Sequence, residues 1–229
     1  NPAYTLRRVW LTPEQERGYY YGLANEGLWP LFHTAFQRPV FRLPDWERYR
    51  EVNQRFAEAV LDEAGDTPTF VFIQDYHFCL LPRLLKEAAR GRMIIAQFWH
   101  IPWPGRETFR IFPWGEELLH GLTGNDLLGF HIRHHCQNFL ETVDRHIEAK
   151  VDREHWTIAR GGRETELRGK PSLRGAQRLL LPFSPCGRRW IADAEAAARR
   201  MRGLSPPRQP LIRRFAPPSP TRGEGRVPT

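Results

Sequence analysis

Residues 69–102 read TFVFIQDYHFCLLPRLLKEAARGRMIIAQFWHIP, and this stretch decides the fold class. Residues 69–73 are a short aromatic and β-branched run without polar alternation, which is typical of a parallel-sheet strand covered on both faces. The segment at 80–91 predicts a helix that Gly91 stops. A second apolar run follows at 93–99. Strand, helix and strand in this order predict a βαβ unit with a parallel sheet.

The pattern continues on both sides of this unit. Residues 45–64 place apolar side chains at three- and four-residue spacing, which predicts an amphipathic helix with Asp45 as its N-cap. The elements predicted downstream are a helix around 114–122, a strand at 126–130, a helix at 133–150 and a hairpin on the Gly-Gly turn within 156–169. We therefore expect residues 17–150 to form a three-layer α/β half-domain, a Rossmann-like parallel sheet with flanking helices.

Composition predicts an ordinary intracellular protein. The chain has 229 residues, 41% of them hydrophobic, which is enough for one core. No run reaches the roughly 18 apolar residues of a membrane helix, and no signal-peptide layout is present. The three cysteines, Cys79, Cys136 and Cys186, lie far apart without CxxC spacing, which favours a reducing compartment. We expect a cytoplasmic protein without a membrane partner.

The positive charge belongs to one end of the chain. Of 34 basic and 26 acidic residues, 12 arginines and 3 acidic residues lie in 171–229, together with 10 of the 20 prolines. Residues 1–170 then hold 22 basic and 23 acidic residues. We expect a folded partial domain at 1–170 and a disordered Pro/Arg-rich tail at 171–229, in which only 191–203 has a helical pattern.

Three loops follow the predicted strands, at 74–77, 100–104 and 131–135. In open α/β sheets, ligands bind at the carboxyl ends of the strands, so these loops are the expected site. His100 ends the second strand, and it either bonds a backbone carbonyl or serves the site. Asp75 ends the first strand, and it either caps the following helix or holds sugar hydroxyls.

A histidine cluster in the third loop raises the question of a metal. His131 and His135 are four residues apart, and His134 and Cys136 lie beside them. No glutamate stands at HExxH spacing, and a first-row metal usually needs three or four ligands. We therefore expect no metal here and interpret the cluster as a solvated helix start.

Three stretches carry several motifs in a fixed order: YYYGLANEGLWPLFHTAF (19–36), VFIQDYHFCLLPRLLKE (71–87) and FWHIPWPGRETFRIFPWGEELLHGLTGNDLLGFH (98–131). Together they resemble the α,α-trehalose-phosphate synthases of glycosyltransferase family 20. The family patterns W-x-x-D-Y-H-L, H-I-P-F-P-x-x-E-x-F-x-x-L-P, D-L-[LI]-G-F and L-W-P-x-F-H match in order. Phe78 for Leu and Trp103 for Phe are mild departures.

The resemblance implies a retaining glycosyltransferase that transfers glucose from UDP-glucose to glucose-6-phosphate in trehalose biosynthesis. It implies the two-domain GT-B fold, of which this chain is part of the N-terminal, acceptor-binding half. It implies no cofactor and no metal, and the full-length family allows a homo-oligomer. After about residue 168 the chain leaves the family pattern, so we expect a truncated fragment that is inactive on its own.

The resemblance also implies roles for four residues. Tyr20 matches the tyrosine that touches the acceptor phosphate, and Trp29 matches the tryptophan that lines the acceptor pocket. Asp75 matches the aspartate that binds acceptor hydroxyls, and His100 matches the histidine beside the reacting centre. Asp75 and His100 are therefore the predicted catalytic residues.

Two alternatives stay open. The first is a related glycosyltransferase with another acceptor, such as glycerol phosphate, because the acceptor motifs are widely shared. The second is a non-catalytic protein whose basic tail binds phosphates or nucleic acid non-specifically. The tail has no interleaved aromatic residues, so no specific nucleic-acid partner is expected.

Overall fold

A computed structural model describes residues 5–170 of the chain. The predicted disordered tail at 171–229, the helical pattern at 191–203 and Cys186 lie outside the described residues. The domain boundary at residue 170 therefore stays a prediction. No helix in the described part is long and apolar enough to cross a membrane.

The chain alternates between helices and strands as the sequence predicts. The helical elements are α1 (Pro13–Glu16), a π-helix (Arg17–Leu28), α2 (Trp29–Phe32), α3 (Leu43–Ala64), a 3-10 turn (Tyr76–Phe78), α4 (Leu81–Ala88), α5 (Arg106–Phe109), α6 (Gly115–Leu122) and α7 (Arg133–His146). The strands are β1 (Thr69–Gln74), β2 (Met93–Trp99), β3 (Leu127–Ile132), β4 (Lys150–Asp152), β5 (Thr157–Arg160) and β6 (Arg163–Lys170).

The six strands form one mixed sheet in the order β1-β2-β3-β6-β5-β4. The pairs β1–β2, β2–β3 and β3–β6 are parallel, and β4, β5 and β6 pair antiparallel. The predicted hairpin is confirmed, with Gly161 and Gly162 at φ 57° and 74° in the turn. Positive φ at both central residues is what a two-residue hairpin turn requires. The α/β fold class with a parallel Rossmann-like core is confirmed.

The helices of residues 5–170 pack against one face of this sheet. The large core cluster joins helix residues to one set of strand side chains, among them Ile73, Ile95 and Leu128. The opposite face carries a separate small cluster in which Phe70 and Phe72 pack on Ala96 and Leu127, without any helix residue. The described residues 5–170 thus show two layers. The expectation that β1 is covered on both faces, in a three-layer domain, stays a prediction.

Two predicted helix limits are also wrong. The helix predicted from Asp45 begins at Leu43, and Arg42 is its N-cap. Asp45 lies in the first turn, where its carboxylate accepts a hydrogen bond from Arg42 at 3.0 Å. The helix predicted at 133–150 ends at His146, because residues from 150 onward join the sheet as β4. Apolar spacing locates a helix but does not resolve its ends.

Aromatic residues fill the space between the strand ends and the helices. Trp99 and Trp103 are both buried, with ring centroids 4.9 Å apart. Trp103 stacks on Phe109 at 5.4 Å, and its indole N–H donates to Thr142 Oγ1 at 3.1 Å. The loop after β2 is therefore anchored by its own tryptophan, in addition to the fixed φ of its prolines.

The first helical segment packs closely on α3. A Cβ at Gly22 would lie 2.5 Å from the carboxyl carbon of Asp45, so any larger residue would have to displace that side chain. The segment runs as a π-helix over Arg17–Leu28, and Tyr20 lies in it. Wide helical turns of this kind are frequent at functional sites. Close packing on α3 fixes where Tyr20 stands relative to the sheet edge.

Candidate functional site

Asp75 and His100 meet at the carboxyl edge of the sheet. Asp75 directly follows β1 and His100 directly follows β2. The backbone N–H of His100 donates to Asp75 Oδ1 at 3.2 Å. The predicted placement of both residues at one sheet edge is confirmed, because adjacent parallel strands end side by side.

Asp75 has a backbone conformation that glycine usually adopts. Its φ of 65° and ψ of −178° cost a residue with a side chain about 1–3 kcal/mol. Two hydrogen bonds hold it: Asp75 N–H donates to the carbonyl of Phe98 at 2.8 Å, and Gln97 Nε2 donates to the carbonyl of Asp75 at 2.9 Å. Strain that is kept by several contacts at a strand end marks a candidate functional position.

Gln97 is a site residue that the sequence did not reveal. It is fully buried, and its Oε1 accepts a hydrogen bond from Asn125 Nδ2 at 2.9 Å. The same Asn125 Nδ2 donates to the carbonyl of Leu122 at 3.0 Å. With its oxygen used by Asn125, the Gln97 amide presents its nitrogen to Asp75. The available signal was a single amide in the apolar strand MIIAQFW.

Helix α3 fixes the turn that follows Asp75. The Tyr49 hydroxyl donates to the carbonyl of Tyr76 at 2.6 Å and accepts from the N–H of Cys79 at 2.9 Å. Asn53 Oδ1 accepts from the N–H of Leu81, the first residue of α4, at 3.2 Å. Buried side chains thus satisfy the main-chain groups of the turn, which makes the loop rigid.

The Asp75 carboxyl is partly desolvated. Burial raises its pKa, while the nearby His77 and the N–H groups of Tyr76 and His100 oppose that rise. Its side chain does not cap the following 3-10 turn. The capping interpretation of Asp75 is therefore wrong. The carboxylate instead accepts a hydrogen bond from the His100 N–H at the sheet edge.

The His100 ring is bonded to a side chain and not to a backbone carbonyl. His100 Nε2 lies 2.8 Å from Gln74 Oε1. The ring also meets the edge of Phe98 at 4.8 Å and lies 5.8 Å from His131 between ring centroids. Burial lowers the pKa of His100, so the imidazole is neutral at pH 7. A neutral imidazole and a carboxylate together offer acceptors for hydroxyl donors.

Tyr20 reaches the same edge through His77. The two rings stack with centroids 5.6 Å apart and planes 15° apart. His77 in turn packs on Tyr76, the residue that follows Asp75, with ring centroids 4.2 Å apart. His77 Nε2 is buried and finds no hydrogen-bond partner in the described part of the chain, and burial lowers its pKa. The structure thus brings Tyr20 into the neighbourhood of Asp75.

Trp29 is not joined to the others by direct contact. It is 43% exposed and stacks on His33 at 4.2 Å. Phe32, three residues later, packs on Trp99 at 5.0 Å, which places α2 above the end of β2. Among residues 5–170 no contact links Trp29 to Asp75 or His100, so its role stays a prediction.

The histidines after β3 do not form a metal centre in the described residues. No group of three His, Cys, Asp or Glu side chains converges there or elsewhere in residues 5–170. His134 Nε2 contacts the Asn138 amide at 3.3 Å, and Cys136 is buried. Burial raises the Cys136 pKa to about 12, which disfavours the thiolate that a metal would need.

Sequence comparison relates the chain to trehalose-phosphate synthesis. Residues 1–171 match the profile of glycosyltransferase family 20. A trehalose-6-phosphate synthase from Mycolicibacterium vanbaalenii is 42% identical over 149 residues, which are 65% of this chain and 30% of that protein. A second, from Mycobacterium ulcerans, is 41% identical over 148 residues. The chain spans about 30% of the length of the curated relatives it matches.

Solved structures show the same likeness. An α,α-trehalose-phosphate synthase (UDP-forming) from Burkholderia xenovorans in complex with glucose-6-phosphate matches with a TM-score of 0.63 and 26% identity, over 70% of this chain and 36% of that one. An E. coli protein bound with UDP-2-fluoro glucose matches with a TM-score of 0.63 and 26% identity, over 80% of this chain and 41% of that one. With more than half of its sequence matched, this chain belongs to glycosyltransferase family 20.

Proposed function

We propose that this chain carries the acceptor-binding side of a retaining glycosyltransferase that joins the glucose of UDP-glucose to glucose-6-phosphate. The observation that carries the proposal is the contact between His100 and Asp75 at the sheet edge, 3.2 Å from N–H to carboxylate. The pair presents acceptors to sugar hydroxyls from a loop whose backbone is held in a costly conformation.

The family and the neighbouring residues support this substrate class. The relatives are named trehalose-6-phosphate synthases, and one similar structure holds glucose-6-phosphate. Tyr20 stacks on His77 beside Asp75, and its phenol is the group that we propose donates to the acceptor phosphate. Trp29 offers an exposed indole on which the apolar face of a sugar packs. Asp75 binds hydroxyls, and His100 lies at the point of sugar transfer.

The chemistry also needs groups that hold the donor. The departing UDP carries negative charge, and preorganised cations that bind a leaving group contribute several kcal/mol to the reaction. In the family, the donor side comes from a second domain, and the described residues cover the acceptor side. We therefore expect residues 5–170 to supply weak binding of the acceptor.

The proposal is tested by titrating the isotopically labelled chain with glucose-6-phosphate and following backbone amide NMR signals. We expect a Kd of about 1 mM, with shifts concentrated at Asp75 and His100. Asp75→Asn should weaken binding by about tenfold or more, because an amide replaces a charged acceptor. Asp66→Asn is the matched control, since its carboxylate is exposed and contacts Arg92 at 2.8 Å.

Two further ligands define the specificity. Glycerol phosphate that binds as tightly as glucose-6-phosphate would favour the alternative acceptor. UDP release near one per second in the presence of both substrates, a rate within the normal enzyme range, would contradict the expectation of an inactive chain. Equal binding by the wild type and Asp75→Asn would refute the assigned site.

A further inference from the structure

Gln74, the residue before Asp75, contacts the imidazole ring of His100. Gln74 is the last residue of β1, and its Oε1 lies 2.8 Å from His100 Nε2. The register of the sheet pairs Gln74 with Phe98, two residues before His100, so the contact depends on how β1 and β2 align. Gln74 and His100 are 26 residues apart in the sequence.

The orientation of the Gln74 amide follows from its second contact. Gln74 Nε2 donates to the carbonyl of Ile73 at 3.4 Å. The amide nitrogen therefore faces the main chain, and the amide oxygen faces the imidazole. An amide oxygen only accepts, so the hydrogen between the two side chains belongs to His100 Nε2.

This contact selects one form of a neutral imidazole. In a neutral imidazole, one ring nitrogen carries the hydrogen and the other carries a lone pair, and the hydrogen-bond partner of one nitrogen sets the state of the other. Because Gln74 Oε1 accepts from Nε2, the lone pair is on Nδ1. Within residues 5–170, Nδ1 of His100 makes no hydrogen bond of its own. The charged and titratable groups that face this ring are Asp75, through the His100 N–H, and His131 at 5.8 Å.

We infer that Gln74 is a positioning residue that holds His100 in its Nε2–H form and so presents Nδ1 as an acceptor to a sugar hydroxyl. This inference rests on the proposed function for the identity of the ligand, and on the geometry alone for the form of the ring. It also explains the polar residue at the end of the apolar strand TFVFIQ. An aliphatic residue at that position would offer no acceptor, so the imidazole would exchange between its two neutral forms.

The test is imidazole ¹⁵N NMR of the full chain at pH 8, with the His100 signals assigned by their loss in His100→Asn. In the wild type we expect the shifts of a single form with the hydrogen on Nε2. Gln74→Met should move both shifts toward the average of two exchanging forms. Gln74→Glu keeps an acceptor at the same place, so it should restore the single form and raise the pKa of His100. Gln137→Met is the matched control, because Gln137 is exposed on the surface of α7, where its amide donates to Glu141 at 3.4 Å.

Two results would overturn the inference: a wild-type ring with its hydrogen on Nδ1, or His100 shifts that Gln74→Met leaves unchanged. Glucose-6-phosphate titration is the second readout, and Gln74→Met should weaken binding about three- to tenfold, as the loss of one well-placed hydrogen bond does. The two readouts are separable. A wild-type chain with the single form that binds no sugar phosphate would refute the proposed function while supporting the role of Gln74 in fixing the ring.

Discussion

The two ends of the parallel sheet use buried polar residues in opposite ways. At the amino end, Lys86 of α4 lies 2.6 Å from both carboxylate oxygens of Asp126, which precedes β3. Asp126 also accepts from the N–H of Ile95 at 2.8 Å, and both charged residues are less than 10% exposed. At the carboxyl end, Asp75 and His100 are bonded to each other and to neighbours, but Asp75 is only half-buried and His100 is exposed.

The difference separates structural polar groups from functional ones. A buried ion pair that is bonded on all sides joins two strands and a helix, and it has little left to offer a ligand. The pair at the other end lies on a loop with a costly backbone conformation and a desolvated carboxyl. A group that is rigid, partly desolvated and incompletely bonded is what a binding site needs.

The largest expected effect on stability comes from removing the buried ion pair at the amino end of the sheet. Asp126→Ala removes both oxygens that contact Lys86 Nζ and the acceptor of the Ile95 N–H. We expect the free energy of unfolding to fall by about 3–5 kcal/mol, since the change leaves a buried charge without its counter-ion. Urea denaturation measures this loss. The exposed Asp66→Ala should change stability little, and an equal loss in both variants would contradict the distinction.

A smaller effect sharpens the comparison at the carboxyl end. Asp75→Gly and Asp75→Ala both remove the carboxylate, and both should lose glucose-6-phosphate binding. Only glycine relieves the backbone at φ 65°, ψ −178°, so Asp75→Gly should be more stable than Asp75→Ala by about 1–2 kcal/mol. Parallel urea denaturation of the two variants measures the difference. Equal stability would show that the backbone at Asp75 is not strained in solution.

The smallest expected effect per residue is on how the free energy of unfolding depends on pH. Burial lowers the pKa of His100 at the carboxyl end and of His120 toward the amino end, from the ordinary value of 6.5. The unfolded chain then takes up protons first, so the free energy of unfolding should fall as pH decreases through 6.5. The raised pKa of Asp75 acts in the opposite sense at lower pH, because there the folded state binds the extra proton.

Unfolding at pH 7.5, 6.5 and 5.5 measures this slope. His100→Gln and His120→Gln should each flatten it, because each removes one group whose pKa differs between the folded and unfolded chains. A wild-type stability that stays constant or rises as pH falls over this range would contradict the prediction.

Sequence patterns located most of the elements because the information is local. The strand at 93–99 and the hairpin turn at Gly161 and Gly162 match the structure. The end of α7 could not be read from its apolar spacing, because pairing of β4 with β5 competes for the residues that follow. Coverage of the sheet was also beyond sequence reasoning, since an apolar strand has the same pattern with one covered face or two.

The candidate site divides in the same manner. By itself, the sequence determined the order of strands and helices and placed Asp75 and His100 at strand ends, because apolar periodicity is local and adjacent parallel strands end at one edge. Only the tertiary structure decided that Gln74 bonds His100, that Gln97 holds the carbonyl of Asp75, and that Tyr20 stacks on His77. Those contacts join residues more than 20 positions apart, and they depend on strand register and on how the first helix packs on α3.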